Sequence, residues 1–290
     1  MGGVLFCFGY GYVARALAEV LRRRGFEVRG TCRMRERAAA SAGGARLFRF
    51  EREHPLEART ALAGVTHLLH SIPPDEHGDP VYDLHAEALV RIPGLCWFGY
   101  LSTTAVYGDR GGAWVCEEDE ARPTLERARR RLCAERAWLE SNLPVHIFRL
   151  SGIYGPGRNA IRNLLDGRAR RIRKAGQVFS RIHVEDLVSV LEASIDRPNP
   201  GRIYNVADDE PAPPEEVVAY AAGLLGVPPP PLEDIERASL TPMQRSFYRD
   251  NRRICNARIK RELGVRLRYS TYREGLRALL AHERGDADGA

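Results

Sequence analysis

A glycine-rich turn between an apolar run and an amphipathic helical segment is the feature that most constrains this sequence. The apolar run is Val4–Phe8, and the pattern G-x-G-x-x-A follows it at Gly9, Gly11 and Ala14. The pattern is weak alone, but it becomes informative where it ends a strand and opens a helix. The sequence therefore predicts a dinucleotide-binding unit at the start of the chain.

Each small residue of this turn has a separate predicted role. Gly9 permits the tight turn, Gly11 lets a diphosphate approach the backbone, and Ala14 allows close packing of helix on strand. The first turn of the helix presents N–H groups and a partial positive charge to the phosphates. The predicted cofactor-binding residues here are Gly9, Tyr10, Gly11, Tyr12 and Val13.

The end of the second predicted strand indicates which dinucleotide is preferred. NAD-binding folds usually place an acidic residue there, whereas this chain has Cys32 and then Arg33, with Arg35 and Arg37 close by. A guanidinium can pair with a 2′-phosphate through two hydrogen bonds. This favours NADP(H) over NAD(H), the alternative being that Arg33 is one more surface arginine.

Short apolar runs alternate with helix-period segments through the first half of the chain. The predicted strands are 4–8, 27–31, 45–50, 66–72, 95–102 and 145–150. Such alternation is typical of parallel strands joined by right-handed crossovers, and nearly continuous apolar strands indicate a sheet covered on both faces. We predict an α/β chain with a Rossmann-type doubly wound parallel sheet and a smaller C-terminal α/β substrate domain.

The predicted domain bounds follow from the point at which this rhythm breaks. Residues 1–150 form the dinucleotide-binding domain, to which a strand and a helix return from about 183–206, residues 151–283 form mainly the substrate-binding part, and 284–290 form a frayed tail. The further predictions are a loop over 152–158, a hairpin over 170–182 around Gly176, and helices over 127–140, 185–195, 214–225, 253–263 and 272–281.

Charge and hydropathy limit the classes of partner. The net charge is +6, but arginine supplies every basic position except Lys174 and Lys260, so the excess is a bias of the whole chain rather than a basic face. No apolar run approaches the roughly 20 residues of a membrane span, and no signal-like segment opens the chain. We expect a cytoplasmic protein with a small-molecule substrate and with neither nucleic acid nor membrane as partner.

The cysteines and the acidic segment 75–79 do not predict a metal site. The six cysteines lie at 7, 32, 96, 116, 133 and 255 without a Cys-x-x-Cys pair. The spacing of Asp75, Glu76, His77 and Asp79 matches no standard ligand pattern, and a solvated turn is expected there. We predict no metal and, in a reducing compartment, no disulfide.

Four further segments follow the glycine-rich turn along the chain and form a series with it. They are 101–109 (LSTTAVYGD), 148–157 (FRLSGIYGPG), 182–186 (IHVED) and 203–206 (IYNV). With the glycine-rich turn, this series resembles the extended short-chain dehydrogenase/reductase family, in its epimerase/dehydratase-like branch. The resemblance implies an NADP(H)-binding oxidoreductase or an epimerase/dehydratase-like enzyme. It also implies that a homodimer, formed through helices flanking the sheet, is one of the open oligomeric states.

The resemblance also implies a set of catalytic positions, at which this chain departs from the family. Thr103 occupies the position that orients the substrate oxygen. The family's tyrosine and lysine, four residues apart on the next long helix, correspond to Arg127 and Arg131. These arginines share one helix face, but a guanidinium with a pKa above about 12 is a poor proton donor near neutrality.

Three explanations of this departure remain open. Another group could supply the proton, with Tyr107, Tyr154 and His183 as candidates and Tyr107 the best placed, although the family's tyrosine there usually packs or lines the site. Alternatively, Arg127 and Arg131 grip an anionic substrate while the cofactor supplies the hydride chemistry. The third explanation is a dinucleotide-binding regulator or scaffold without turnover.

Other residues are assigned to the site by their place in these segments. Additional cofactor contacts are expected at Ser71, Ile72, Ser102, Arg131, Ser151 and Gly152. An anionic substrate would suit cleft-facing side chains at Arg149, Arg158, Arg181 and Tyr248, the alternative being the general arginine bias. His183 and Asp186 are expected to be structural.

Overall fold

The computed structural model describes residues 2–33 and 44–287, so Arg35 and Arg37 lie outside the described residues. The strands are β1 Val4–Phe8, β2 Glu27–Cys32, β3 Arg46–Arg49, β4 His67–His70, β5 Trp97–Thr103, β6 Trp114–Val115, β7 Val145–Leu150, β8 Gly152–Tyr154, β9 Arg171–Arg173, β10 Arg181–His183, β11 Ile203–Val206, β12 Leu232–Asp234 and β13 Arg253–Ile254. The α-helices are α1 Tyr12–Arg23, α2 Ala58–Ala61, α3 Pro80–Val90, α4 Glu126–Leu139, α5 Ala160–Leu165, α6 Val184–Asp196, α7 Pro214–Leu225, α8 Pro242–Phe247, α9 Ala257–Leu263 and α10 Tyr272–Ala287.

Strand order confirms the predicted fold class. In the described part of the chain, a seven-stranded parallel sheet has the order β3-β2-β1-β4-β5-β7-β11. Strands β2 and β4 both pair in parallel with β1, so the chain direction across the sheet reverses beside β1. This reversal is the switch point of a doubly wound fold, outside which ligands bind at the carboxyl ends of the strands.

The core of this sheet is aromatic and aliphatic, as expected for parallel strands buried on both faces. Phe6 and Phe8 of β1, Phe98 and Tyr100 of β5, and Trp138 of α4 are fully buried. The ring centroids of Phe98 and Trp138 lie 4.7 Å apart in an edge-to-face arrangement. These contacts fix α4 against the sheet beneath the ends of β4 and β5.

The chain divides into two compact units. The first comprises Met1–Val106, Leu125–Arg149 and Val188–Tyr204, and the second comprises Tyr107–Thr124, Leu150–Leu187 and Asn205–Ala290. The segment 107–124 therefore belongs to the second unit, although the sequence places it in the first domain. The first half of β11, Ile203 and Tyr204, and most of α6 return to the first unit.

The second unit contains three two-stranded parallel pairs, β8 with β10, β9 with β12 and β6 with β13. The predicted hairpin over 170–182 is wrong, because β9 and β10 each pair with a different strand. The predicted loop over 152–158 is also wrong at its start, where β8 forms. Within 253–263 the structure has a short strand before helix α9, and α10 continues past the predicted tail start at residue 284 to Ala287.

Helix α3 is the longest of the elements that the sequence did not predict, the others being α2, α8, β6 and β12. It begins after Asp79, whose side chain accepts hydrogen bonds from the N–H groups of Val81 and Tyr82, with Pro80 in the first turn. An acidic cap followed by proline is a typical helix start. No helix within the described residues is long and apolar enough to cross a bilayer.

Candidate functional site

The glycine-rich turn is held by one side chain near the end of β2 and by one that follows β4, the two strands that flank β1. Gly9 has φ +88°, in the left-handed region, and a Cβ there would lie 2.6 Å from Ser71 Oγ. The Ser71 hydroxyl donates to the Gly9 carbonyl at 2.8 Å, and the Gly9 N–H donates to Thr31 Oγ1 at 2.8 Å. Residue 9 must therefore be glycine for both its backbone angle and its surroundings.

Nothing in the described part of the protein itself requires glycine at position 11. Its φ is −94°, which any residue can adopt, and a Cβ there would meet no protein atom within 4 Å. No side chain caps the N-terminus of α1, and its first turn holds no acidic residue. An open approach to the backbone beside a helix N-terminus fits the pyrophosphate of a dinucleotide.

The side chains between and after these glycines are engaged elsewhere. The Tyr10 hydroxyl accepts a hydrogen bond from Arg22 Nη2 at 2.7 Å, and its backbone N–H donates to the Thr31 carbonyl. Val13 and Ala14 are buried, while Tyr12 is half-buried. The groups that fit a phosphate here are therefore backbone N–H groups rather than side chains.

The carboxyl end of β2 carries the predicted cation. Thr31 is buried, Cys32 is half-buried, and Arg33 follows the strand directly with an exposed side chain. Neither Cys32 nor Arg33 is acidic, so the described residues at this strand end carry no carboxylate that would repel a 2′-phosphate. The exposed arginine and the lack of an acidic residue at positions 32 and 33 are the two features on which the NADP(H) prediction depends.

A buried histidine network supports the end of β4. His70 Nε2 lies 2.9 and 2.8 Å from the two carboxylate oxygens of Asp79, and Trp138 Nε1 donates to the same carboxylate at 3.0 Å. The Ile72 N–H donates to His70 Nδ1 at 3.3 Å. Because Nδ1 accepts, the proton lies on Nε2 and is donated to Asp79. The network thus fixes the backbone that carries Ser71 and Ile72.

Asp79 corrects the prediction that residues 75–79 are a solvated turn. Its side chain is buried, and although this burial alone would raise the pKa of Asp79, the neighbouring His70 and Trp138 hold that pKa below its usual range. The sequence carried a signal for this role, since Asp79 precedes Pro80 and an apolar helical segment. Among the described residues, no group of three or more His, Cys, Asp or Glu side chains is arranged to hold a metal ion.

Arg131 on α4 reaches the ends of β4 and β5. Its Nη1 donates to the carbonyls of Ile72 and Leu101, at 3.3 and 3.2 Å, and to the Tyr100 hydroxyl at 3.2 Å. Burial raises the pKa of Tyr100 far above its usual value, so this hydroxyl keeps its proton near neutrality. Arg127, one turn earlier, is exposed. A fixed positive charge thus lies where the resemblance implies a lysine.

Ser102 and Arg149 take part in a buried ion pair instead of facing a cleft. Arg149 Nη2 donates to Glu135 Oε2 at 2.7 Å, and its Nε lies 3.2 Å from both oxygens. The Ser102 hydroxyl donates to the same carboxylate. All three side chains are buried. Arg149 is therefore buried and does not face a cleft as predicted, while the Ser102 hydroxyl is engaged by Glu135 and a cofactor contact at Ser102 stays a prediction.

The threonine and tyrosine of the V-Y-G segment have different environments. Thr103 ends β5, is half-buried, and accepts a hydrogen bond from the Ala105 N–H at 3.2 Å. Tyr107 is fully buried, and its hydroxyl donates to Asn205 Oδ1 at 2.8 Å. The geometry therefore favours a structural role for Tyr107 over proton transfer to a substrate.

The other two candidate proton donors lie in the second unit and are also poorly suited. Burial raises the pKa of the Tyr154 hydroxyl well above its usual value and lowers the pKa of His183 to about 4. Their rings pack edge to face at 5.1 Å. Neither group exchanges a proton readily near neutrality. Asp186 accepts hydrogen bonds from the N–H groups of Arg268 and Tyr269, which is a structural role.

The remaining predicted residues of the second unit lie near β8. Ser151 is buried, and its N–H donates to the Val206 carbonyl at 3.0 Å, while Gly152 and Arg158 are exposed. Arg181 and Tyr248 are half-buried, and Arg181 Nη1 donates to the Phe179 carbonyl at 2.8 Å. Within the first unit, the structure brings Gly9, Ser71, Ile72 and Arg131 together.

Comparison with known proteins assigns the family. A profile described as the NAD dependent epimerase/dehydratase family matches residues 9–207, from the glycine-rich turn to the end of β11. The chain belongs to this family. The resemblance seen in the sequence is thus confirmed. Protein YeeZ of Escherichia coli (strain K12) is 31% identical over 279 residues, which cover 90% of this chain and 94% of that protein.

Solved structures show the same fold. A conserved protein of unknown function from Silicibacter pomeroyi DSS is 52% identical, with a TM-score of 0.87 over 97% of this chain and 99% of that chain. MoeE5, solved in complex with UDP-glucose and NAD, has a TM-score of 0.78 at 23% identity, over 99% of this chain and 100% of that chain. At that level of identity, the likeness to MoeE5 concerns the fold.

Proposed function

We propose that this member of the epimerase/dehydratase family binds NADP(H) at the glycine-rich turn. We further propose that it acts on a small anionic substrate as an oxidoreductase or an epimerase/dehydratase-like enzyme. The observation that carries the proposal is the turn itself, with Gly9 at φ +88° and open space on the Cβ side of Gly11. A bound nicotinamide cofactor supplies hydride chemistry, and the protein binds and orients the reacting groups.

The preference for NADP(H) is supported by the end of β2. Arg33 is exposed there, and neither it nor the preceding Cys32 is a carboxylate that would accept the ribose hydroxyls of NAD(H). A guanidinium matches the geometry of a phosphate and keeps its charge at any pH at which the protein is folded. MoeE5, which has a similar fold, was solved with NAD. The test below therefore compares NADPH with NADH directly.

Arg127 and Arg131 support electrostatic binding rather than proton transfer. Arg131 is anchored by two carbonyls and the Tyr100 hydroxyl, which orients its guanidinium at the ends of β4 and β5. The candidates for a proton donor, Tyr107, Tyr154 and His183, are buried. We therefore assign the two arginines to holding an anionic group of the substrate or cofactor, and Thr103 to orienting the substrate oxygen.

A second candidate function is a dinucleotide-binding regulator or scaffold. It is favoured by Arg127, which replaces the family's tyrosine and cannot pass a proton near neutrality. NADPH mixed with aldehydes, ketones and sugar nucleotides distinguishes the two functions. Oxidation of NADPH, followed by its absorbance, or an epimerised sugar nucleotide supports the enzyme, whereas tight binding without either product supports the regulator.

The cofactor assignment is tested with Arg33→Ala. We expect its affinity for NADPH to fall at least about 10-fold while its affinity for NADH changes less than about 2-fold, because one charge-assisted phosphate contact contributes about 1.5–3 kcal/mol. Isothermal titration calorimetry measures both. Arg23→Ala, which removes an exposed arginine at the far end of α1, is the matched control and should bind both cofactors normally. Equal losses for NADPH and NADH would contradict the assignment.

The cellular setting and the assembly remain predictions. We expect a cytoplasmic protein that binds neither nucleic acid nor a membrane surface, and a homodimer is tested directly by sedimentation equilibrium. A mass of 32.5 kDa in solution would identify the monomer.

A further inference from the structure

Strands β6 and β13 bring two cysteines side by side in the second unit. The strands pair in parallel, with Trp114 opposite Arg253 and Val115 opposite Ile254. The Cys255 N–H donates to the Val115 carbonyl at 2.9 Å, so the ladder continues to the next residues. This register places Cys116 directly opposite Cys255. Paired residues of a parallel ladder project to the same face, so both thiols lie on one side.

The side chains of Cys116 and Cys255 lie beside each other. The ladder register places them on one face, and a side-chain hydrogen bond with Cys255 is one of the causes that raise the pKa of Cys116. Both cysteines are half-buried, so a small oxidant can reach them. Neighbouring strands lie about 4.8 Å apart, which falls within the Cα separation of about 4.4–6.8 Å that a disulfide spans. Of the other four cysteines, Cys7 is buried and Cys96 and Cys133 are exposed, while the half-buried Cys32 ends β2 in the first unit.

We propose that Cys116 and Cys255 form a reversible disulfide when the protein meets a peroxide or a small disulfide. With hydrogen peroxide, one thiol sulfur attacks the O–O bond and becomes a sulfenic acid as the first water leaves. The second thiol then displaces the sulfenic oxygen as a second water, and the S–S bond forms. Two thiols are oxidised as one peroxide is reduced, and a dithiol reductant restores both thiols by exchange.

The cross-link would act on a hydrogen-bonded network beside it. Glu117, the residue after Cys116, accepts a hydrogen bond from the Asn205 N–H at 2.8 Å, and Asn205 Oδ1 accepts the Tyr107 hydroxyl. The segment 107–124 would become covalently tied to the chain around Cys255. The oxidation state of the pair would therefore control how freely this segment, with Tyr107 at its start, can move.

The environment of Cys116 sets the conditions of the test. Burial, the adjoining Cys255 and the nearby carboxylates of Glu117 and Asp119 raise the pKa of Cys116 to about 12. This thiol is therefore protonated near neutrality and reacts slowly, since the thiolate is the nucleophile. The oxidation should therefore run for hours with excess oxidant. The exposed thiols should first be removed, so that they do not react with the oxidant in place of Cys116 and Cys255.

The experiment uses the full chain with Cys96→Ser and Cys133→Ser, which removes the two exposed thiols. The folded protein is incubated with oxidised glutathione or hydrogen peroxide, its remaining thiols are alkylated, and it is digested with trypsin without reduction. We expect mass spectrometry to find peptides 111–127 and 254–258 joined, with a mass two hydrogen atoms below their sum. The joined species should disappear after dithiothreitol.

The wild-type chain treated in the same way shows whether the two serine substitutions alter the result, and should give the same joined peptides. Adding Cys116→Ser or Cys255→Ser should abolish the joined species. Recovery of both cysteines in separate alkylated or glutathionylated peptides, at every oxidant concentration, would overturn the proposal. No nucleotide is needed for this test, so its outcome is independent of the proposed function.

Discussion

Gly9 and Gly11 lie in one turn, but the protein itself requires glycine only at position 9, whereas the proposed pyrophosphate requires it at position 11, and a pair of substitutions can separate the two. Gly11→Ala meets no protein atom within 4 Å, so we expect a stability change within about 1 kcal/mol together with at least 10-fold weaker NADPH binding. Gly9→Ala forces a side chain into the left-handed region and towards Ser71 Oγ, so we expect it to lower the free energy of unfolding by about 1–3 kcal/mol.

Urea unfolding measures the stability of these two variants, and fluorescence titration measures their NADPH affinity. Each is the control for the other, because both add one methyl group to the same turn. A Gly11→Ala protein that binds NADPH as the wild type does would contradict the placement of a pyrophosphate at this turn.

Asp208 gives the second unit a pH-dependent stability. Burial outweighs the neighbouring Arg181 and raises the pKa of Asp208 to about 8. Between about pH 4 and pH 8 the folded state therefore keeps a proton that the unfolded state has lost, so stability falls as pH rises through this window. In Asp208→Asn we expect this decrease to be largely absent. The exposed neighbour Asp209 provides the control: it contributes less than burial to the raised pKa of Asp208, so urea unfolding of Asp209→Asn at pH 5 and pH 8 should retain most of the wild-type decrease.

At the scale of elements, the Glu135–Arg149 pair joins α4 to β7. Glu135→Gln would leave the buried Arg149 guanidinium without its counter-charge, which costs about 3–5 kcal/mol. Glu126→Gln on the same helix breaks exposed pairs with Arg129 and Arg130 and should cost less than about 1 kcal/mol. Denaturant unfolding of both variants measures the difference, and similar costs would show that the buried pair is not a major stabilising contact.

The elements differ in how well the sequence predicts them. Helix α7 is predicted at its observed bounds, because Pro214 starts it and Gly226 ends it in the left-handed conformation. The six predicted strands of the first half all form. The hairpin over 170–182 was wrong because β9 and β10 pair with strands far away in the sequence, and local turn signals such as Gly176 do not report that. Pairing partners are a tertiary property.

The candidate site is likewise only partly predictable from local sequence patterns. Gly9, Gly11 and Arg33 follow from local patterns at the ends of strands, and the structure places them there. The burial of Ser102 and Arg149 depends on Glu135, a helix residue whose partners the sequence pattern does not reveal. The His70–Asp79–Trp138 network likewise joins three segments whose contact exists only after folding.

At the scale of the whole molecule, cofactor binding should stabilise the first unit. NADPH at 100 times its dissociation constant should raise the free energy of unfolding by about 2.7 kcal/mol. The variant Trp114→Phe retains Trp97 and Trp138, which both belong to the first unit, so its fluorescence follows that unit alone. We expect NADPH to raise the melting temperature of this variant. After Gly11→Ala is added, we expect NADPH to leave the melting temperature unchanged. An unchanged melting temperature at saturating NADPH would contradict binding to the first unit.

The anchoring of Arg131 has a consequence for alkaline solution. A lysine at this position would lose its charge near its pKa of about 10.4, whereas a guanidinium remains a cation throughout that range. Three acceptors from two strand ends hold this guanidinium in place. Any anion that depends on Arg131 should consequently stay bound in carbonate buffers in which a lysine-based site releases its ligand.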